Sequence, residues 1–329
     1  MHMHKRSTIR AAAMLGAGAL AVGLSGCSAD AGTGSPDEPM TVNAGFIPVV
    51  DVAALYLGEE QGFFDENGID LNINVGASGA ALLPSVMSGE YTFAFSNMPS
   101  ILQAKDKGLP VKIIGSGSSS TGVEGEDVTM IHAPEDSGIT GAKDLEGKTV
   151  SVNALGSLLE MLGKIGVDAD GGDSSKVEFI ELPFAESLTA LENGTIDAMV
   201  GAEPFGTAAI EAGFPAISSP YQAMSTESIM TSAYYTSEDQ LNENPELFAD
   251  LQVAINESLA YAQEHPDEVR EQLLKFTELD EDVAAKMILP TYDAEISAEA
   301  VDLFNEYALE YDLIETAVDP AELIATPEG

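Results

Sequence analysis

The sequence predicts an α/β protein made of two similar units and a helical C-terminal part. Between about residues 40 and 213, short segments with the apolar pattern of strands alternate with segments that have the period of helices. This alternation restarts near residue 128, after a first complete run. Alternating strands and helices indicate parallel sheets covered by helices, and the restart indicates two lobes.

The N-terminal segment has the layout of a secretory signal. Three basic residues within the first ten positions precede an apolar run over residues 11–24. This run of 14 residues is shorter than the ~20 that a transmembrane helix needs. We therefore expect residues 1–26 to be a signal peptide. The residues do not decide between the general secretory and the twin-arginine export routes.

Cys27, the only cysteine, follows the small residues Ser25 and Gly26 directly after the apolar run. This pattern resembles the lipobox of bacterial lipoproteins, which implies a lipid on Cys27 and anchoring to the outer face of the cell membrane. An extracytoplasmic, lipid-anchored location suits a Gram-positive cell, which has no outer membrane to retain a receptor. The alternative is an ordinary cleaved signal with a stray buried cysteine. Residues 27–39 are small and polar, and we expect a flexible tether there.

Acidic residues dominate the charge of the chain. There are 55 Asp and Glu against 13 Lys and Arg, for a formal net charge of −42. Such a charge argues against nucleic acid or an anionic membrane surface as a partner. It predicts a solvated acidic surface, and it is compatible with a salty habitat, where screening shortens the repulsion between carboxylates.

The two units and the tail give a domain organisation. The strand-like segments DVTMIHA and SIMTSAYYTS flank the second unit, and a helical part follows it. The helices after residue 238 are amphipathic, so we expect them to cover one of the lobes.

Four phrases carry a family resemblance: YLGEEQGFFDENGIDLNI, LLPSVMSGEYTFAFSN, DLEGKTVSVN and LTALENGTIDAMVGAEPF. With the order of elements, they are similar to the solute-binding proteins of ABC importers, in the NMT1/THI5-like group for nitrate, sulfonates, taurine and thiamine pyrimidine precursors. The resemblance implies a two-lobe periplasmic-binding-protein fold of type II topology, in which DVTMIHA and SIMTSAYYTS form the hinge. It places the first part of lobe 1 over residues 40–131, lobe 2 over 132–228 and the second, helical part of lobe 1 over 229–329. It also implies a monomer that binds a small solute in the cleft and delivers it to a permease and its ATPase.

Candidate ligand contacts come from the loops that follow the predicted strands. In an open α/β sheet a ligand lies beyond the carboxyl ends of the strands, where loops meet helix N-termini. Ser78 and Asn97 can equally cap the helices that follow them, and each aromatic can equally belong to the core. The candidates are Phe46, Ser78, Gly79, Ser96, Asn97, Thr121, Asn153, Ser157, Phe184, Glu203, Phe205 and Tyr234.

Glu203 bears on the chemistry of the ligand. It stands between an apolar strand and Pro204, where related receptors often have an acidic residue, and it can equally be a carboxylate stabilised by a helix dipole. No basic residue falls in the candidate loops, so a sulfonate or nitrate would lack an arginine fork. This mildly favours a neutral or amine-bearing guest, such as a pyrimidine, over an anion.

Two other classes of function stay open. An enzyme of thiamine-pyrimidine synthesis shares the resemblance, but His132 and His265 stand alone and no common catalytic motif occurs. No cofactor, metal site or catalytic residue is therefore expected. The remaining alternative is a lipoprotein that senses a ligand and presents its bound state to a signalling partner.

Overall fold

The computed structural model of the chain describes residues 39–277 and 279–325. The predicted signal peptide, Cys27 and the tether up to residue 38 lie outside these ranges. The described residues belong to one compact unit that begins at Pro39. Within them, no helix is both long enough and apolar enough to cross a bilayer.

Two five-stranded sheets form the centres of the two lobes. The first sheet has the order β2-β1-β3-β10-β4 and the second the order β7-β6-β8-β5-β9. The strands of the first are β1 (Met40–Phe46), β2 (Ile69–Val75), β3 (Phe93–Asn97), β4 (Val111–Ser116) and β10 (Ser232–Ser237). Those of the second are β5 (Thr129–His132), β6 (Thr149–Val152), β7 (Glu178–Glu181), β8 (Ala198–Ala202) and β9 (Ala216–Ser218).

The helices connect the strands and cover the sheets. In the first run they are α1 (Ala53–Gln61), α2 (Phe63–Glu66), α3 (Gly79–Met87) and α4 (Met98–Asp106). In the second run they are α5 (Leu158–Ala169), α6 (Phe184–Glu192), α7 (Phe205–Glu211) and α8 (Tyr221–Met224). The tail contains α9 (Glu238–Glu243), α10 (Pro245–Glu264), α11 (Pro266–Phe276), α12 (Glu281–Lys286), α13 (Ala298–Glu310) and α14 (Pro320–Leu323). Within the tail, α10 packs on α1 and β4, and α14 packs on β4, so these helices cover lobe 1.

Both sheets are mixed rather than purely parallel. In lobe 1, β10 runs antiparallel between β3 and β4, and in lobe 2, β5 runs antiparallel to β8 and β9. These two strands arrive from the opposite lobe instead of through a helical crossover, which is why their direction is reversed. All of β5 belongs to the second sheet, so the lobe boundary predicted at 131/132 falls inside a strand and the first lobe ends before it.

The crossing between the lobes is a short ribbon of extended chain. Ser119 pairs antiparallel with Met230 on one side and with Thr291 on the other. This ribbon at Ser119 precedes β5, whereas the predicted hinge segment DVTMIHA contains β5 itself. In the second predicted hinge segment, only the residues before Ser232 belong to the ribbon, since β10 begins there.

Candidate functional site

A cavity of about 250 Å³ lies between the lobes, and both lobes build its wall. Lobe 1 contributes α3, α4 and the edges of β3, β4 and β10, while lobe 2 contributes the loop before α5. Three sequence-predicted residues, Gly79, Ser96 and Ser157, meet at this cavity. The full lining is Gly79, Ala80, Leu83, Ser96, Ser100, Ile101, Gln103, Ala104, Lys107, Leu109, Val111, Leu155, Gly156, Ser157 and Tyr235.

The lobe 1 side of the cavity is built on a close approach of α3 to β3. A Cβ atom at Gly79 would lie 2.1 Å from Ser96 Oγ, so only glycine lets the helix begin here. Ser78 caps the helix by accepting a hydrogen bond from Ala81 N at 3.3 Å. The hydroxyl of Ser96 is buried and has no protein partner. A buried unpartnered hydroxyl is costly, which makes Ser96 Oγ a candidate donor to a ligand.

The lobe 2 side of the cavity is a loop whose backbone is hydrogen-bonded to side chains of lobe 2. Leu155 N donates to Glu181 Oε2 at 3.1 Å, and Gly156 N donates to Glu160 Oε2 at 2.6 Å. Ser157 turns its hydroxyl back to the carbonyl of Ala154 at 2.7 Å and does not cap α5. The first N-H groups of α5 therefore lack a side-chain acceptor. They follow directly on Ser157, the last residue of this loop in the cavity wall.

One hydrogen bond crosses the mouth of the cavity. Gln103 Nε2, on α4, donates to the carbonyl oxygen of Gly156, on the lobe 2 loop. Gly156 has a φ of +65°, the left-handed conformation that favours glycine. The bond joins the two walls directly.

The charge of the cavity wall is positive although the chain is strongly acidic. Of the described residues, the wall includes Lys107 and no carboxylate. Glu160, the acidic side chain next to the loop, is engaged by Gly156 N and by Lys164 Nζ at 2.6 Å. The starts of α3 and α5 add the partial positive charge of helix N-termini. An oxygen-bearing group suits this wall better than an ammonium group.

Glu203 lies outside the cavity wall, and its carboxylate is hydrogen-bonded to other residues of the protein. Its carboxylate accepts hydrogen bonds from Thr207 Oγ1 at 2.7 Å, Thr207 N at 3.1 Å and Ile288 N at 3.3 Å. Burial raises the pKa of Glu203, and the hydrogen bonds from Thr207 and Ile288 oppose that rise. Its backbone carbonyl also accepts from Val50 N at 3.2 Å, so Glu203 joins lobe 2 to two segments of lobe 1.

The aromatic candidates divide between the core and a pair on lobe 2. Phe46 and Tyr234 are 0 % exposed and pack with ring centroids 5.8 Å apart, which places them in the core of lobe 1. Phe184 and Phe205 stack with centroids 4.9 Å apart at the starts of α6 and α7. None of these four lines the cavity, because each already packs against protein.

Three polar candidates lie elsewhere. Asn97 caps α4, accepting from Ser100 N at 3.0 Å. Thr121 closes a turn by donating to Glu126 O at 2.7 Å. Asn153 lies at the end of β6, and its Oδ1 atom is buried without a partner.

Several lining residues were absent from the sequence-based candidates. Ser100 and Gln103 lie on α4 and Lys107 is its C-cap residue, and the three have the spacing of one helix face. Tyr235 lines the cavity and donates to the carbonyl of Gly79 at 3.5 Å. The available signal was the period of the helix after SNMPS, which places residues 100, 103, 104 and 107 side by side.

Asp51 forms a second polar cluster, beside the ribbon that joins the lobes. Ser118 Oγ donates to Asp51 Oδ1, and the hydroxyls of Ser118 and Ser232 lie 2.9 Å apart. Burial raises the pKa of Asp51, while the hydrogen bond from Ser118 opposes the rise. In the ranges that the structure covers, no group of three or more His, Cys, Asp and Glu side chains could hold a metal ion.

Two curated relatives each match about half of the chain. A formylaminopyrimidine-binding protein of Halalkalibacterium halodurans is 29% identical over 177 residues, which are 53% of this chain and 51% of that protein. The bicarbonate-binding protein CmpA of Synechococcus elongatus is 26% identical over 188 residues, which are 51% of this chain and 42% of that protein. The chain thus spans about half the length of the curated relatives that it matches.

Solved structures match over most of the chain. The aliphatic sulphonate-binding protein SsuA of Escherichia coli has a TM-score of 0.72 at 18% identity, covering 89% of this chain and 93% of its own. The nitrate-binding protein NrtA of Synechocystis PCC 6803 has a TM-score of 0.73 at 15% identity, covering 87% and 86%. These likenesses show the periplasmic-binding-protein fold. The family model described as "NMT1/THI5 like" matches residues 49–269, and the chain belongs to that family.

Proposed function

We propose that this protein is the solute-binding component of an ABC importer. It captures a small organic solute between its lobes and delivers it to a permease and its ATPase. The observation that carries the proposal is the cavity whose wall is shared by both lobes, because only such a site can link occupancy to closure. The proposed action is binding and release, without a catalytic step.

The chemistry of the wall supports a guest with an oxygen-bearing head and a small apolar body. Ser96 Oγ, the start of α3 and the start of α5 offer hydrogen-bond donors, and Lys107 adds a positive charge. Leu83, Ile101 and other apolar side chains form the rest. At about 250 Å³ the cavity is smaller than the ~300–1,000 Å³ typical of drug-sized ligands.

This chemistry favours a sulfonate-type or similar acceptor-bearing solute over an amine. The sequence-based preference for an amine-bearing guest rested on Glu203, whose carboxylate is bonded to Thr207 and Ile288. A neutral pyrimidine-type guest with carbonyl or ring-nitrogen acceptors is the second candidate, and the formylaminopyrimidine-binding relative favours it.

We also propose that the mature protein is a monomer held at the outer face of the cell membrane by a lipid on Cys27. The basis is the sequence around Cys27, with small residues between an apolar run and the cysteine. Mass spectrometry of the protein purified from membranes tests this part. A diacylglyceryl-modified N-terminal Cys27 is expected, and an unmodified cysteine in a soluble protein contradicts it.

A thermal-shift panel tests the function. The chain from Ser28 onward is unfolded and refolded to remove carried-over solute, then mixed with ethanesulfonate, taurine, nitrate, bicarbonate or a formylaminopyrimidine. A ligand at 100 times its Kd stabilises the native state by about 2.7 kcal/mol. We expect a saturable shift with an acceptor-bearing solute.

Variants then assign the shift to the cavity. Ser96→Ala and Lys107→Met should reduce the shift with ethanesulfonate. The matched control is Lys105→Met, because Lys105 lies on the same helix but does not line the cavity. If no solute shifts the transition, the import proposal fails, and a sensing role for another ligand gains support.

A further inference from the structure

Among the described residues, Gln103 is the one whose side chain donates a hydrogen bond from the cavity wall of lobe 1 to the cavity wall of lobe 2. It is half-buried on α4, lines the cavity and donates through Nε2 to Gly156 O. A carboxamide has two N-H donors and one acceptor oxygen. One donor is used by Gly156, and the other donor and the oxygen are left for a guest.

The acceptor across the mouth is fixed in place. Gly156 is held by Glu160 through its N-H, and its neighbour Leu155 is held by Glu181. Glu160 is in turn paired with Lys164. Because these contacts all lie within lobe 2, the loop moves with that lobe as a rigid piece. Its carbonyl can meet Gln103 only when the lobes are close.

A second set of contacts between the lobes lies away from the cavity. Glu203 accepts hydrogen bonds from Val50 N and Ile288 N, and Lys286 pairs with Glu211 at 2.7 Å. Tyr307 Oη also donates to Ala223 O at 3.1 Å, and Tyr311 Oη donates to Asp168 Oδ2 at 3.0 Å. Of these described contacts between the lobes, the one at Gln103 lies on the cavity wall. A guest in the cavity therefore acts on closure through Gln103 rather than through Glu203.

We propose that Gln103 is a positioning residue that couples guest binding to lobe closure. Its Nε2 atom stabilises the closed arrangement of the lobes by donating to Gly156 O, while its second N-H and its carbonyl oxygen contact the guest. This proposal rests on the proposed function, since it assigns the coupling to one residue of the same cavity.

Fluorescence energy transfer between the lobes tests the coupling. The chain from Ser28 onward has no native cysteine, so dyes attach only to introduced cysteines. Asp65→Cys on lobe 1 and Glu192→Cys on lobe 2, both at exposed positions, provide the labelling sites. Gln103→Met removes the hydrogen bond without adding charge, and Gln103→Glu replaces the donor with an acceptor of the same shape. Lys107→Met is the matched control, because Lys107 lines the cavity on the same helix without a described bond to lobe 2.

We expect both Gln103 variants to lower the closed fraction without any added solute, Glu more than Met, while their melting temperatures stay unchanged. With ethanesulfonate as probe, Gln103→Met should raise the Kd about three- to tenfold and mainly speed dissociation. Lys107→Met should weaken binding without changing the closed fraction of the free protein.

Wild-type transfer efficiency in both Gln103 variants, without solute, overturns the proposal. The two proposals fail separately. If the wild type does not bind the probe, the solute range of the proposed function fails, while the measurement without solute still decides the role of Gln103.

Discussion

Replacing Gly79 with alanine should destabilise the protein and disturb the cavity together. The new Cβ would lie 2.1 Å from Ser96 Oγ, 2.7 Å from Ser96 Cβ and 2.9 Å from Ser96 Cα. A serine side chain has no flexible far end that could move aside, so α3 or β3 must shift. Overpacking of this kind costs about 1–3 kcal/mol. The better helix propensity of alanine offsets up to about 1 kcal/mol.

We therefore expect Gly79→Ala to lower the free energy of unfolding by about 1–2 kcal/mol, or the melting temperature by about 2–3 °C. Urea unfolding followed by circular dichroism measures it. Ala80→Ser, at the exposed neighbouring position, is the control and should change little. Ser96→Gly in the Gly79→Ala background should restore much of the loss, with a coupling energy of about 1 kcal/mol or more. Additive effects of the two substitutions, or a Gly79→Ala variant as stable as the wild type, would refute the close approach of α3 to β3.

Three further predictions concern stability. Burial raises the pKa of Asp127 in the folded protein, so this carboxyl is a stronger acid once the chain unfolds. The free energy of unfolding should therefore fall as pH rises from the ordinary Asp range through the raised pKa. Urea titrations between about pH 4 and pH 7 should show a weaker pH dependence in Asp127→Asn. Tyr292 Oη donates to Val50 O at 2.7 Å, so Tyr292→Phe should lower the free energy of unfolding by about 1 kcal/mol, and an unchanged urea midpoint would contradict it. The net charge of −42 destabilises the folded protein through repulsion between carboxylates. Salt screens this repulsion, so the melting temperature should rise from low salt to about 1 M NaCl, where the Debye length is about 3 Å. A melting temperature that does not change with salt would show that this repulsion does not reduce stability.

Much of the fold follows from local patterns in the sequence. The strict alternation of IDLNINV and the helix after SNMPS with Pro99 in its first turn appear as β2 and α4. The direction of β5 and β10 could not be predicted in the same way. Their pairing depends on the chain crossing between lobes, a long-range property that no local period records. The ribbon at Ser119 escaped prediction for the same reason, since its partners Met230 and Thr291 are distant in sequence.

The sequence predicted site residues whose position follows from the backbone topology. It did not predict those whose role depends on the direction of the side chain. Gly79 follows β2 and begins α3, and Ser96 lies near the carboxyl end of β3, which is the position the topology rule selects. Tyr234 was predicted and Tyr235 found on the cavity wall, because successive residues of a strand point to opposite faces and the register was not known. For Glu203, the sequence showed a carboxylate at a helix start but not Ile288 N, which reaches it from the distant tail.

A calorimetric titration of the wild type and of Ala80→Trp tests the central claim most directly. Ala80 is exposed and lines the cavity, so tryptophan there should fill the cavity without disturbing the core. We predict that the wild type binds one equivalent of an acceptor-bearing solute from the panel, and that Ala80→Trp, with an unchanged melting temperature, binds none. Equal binding by both proteins would place the solute outside this cavity and contradict the account.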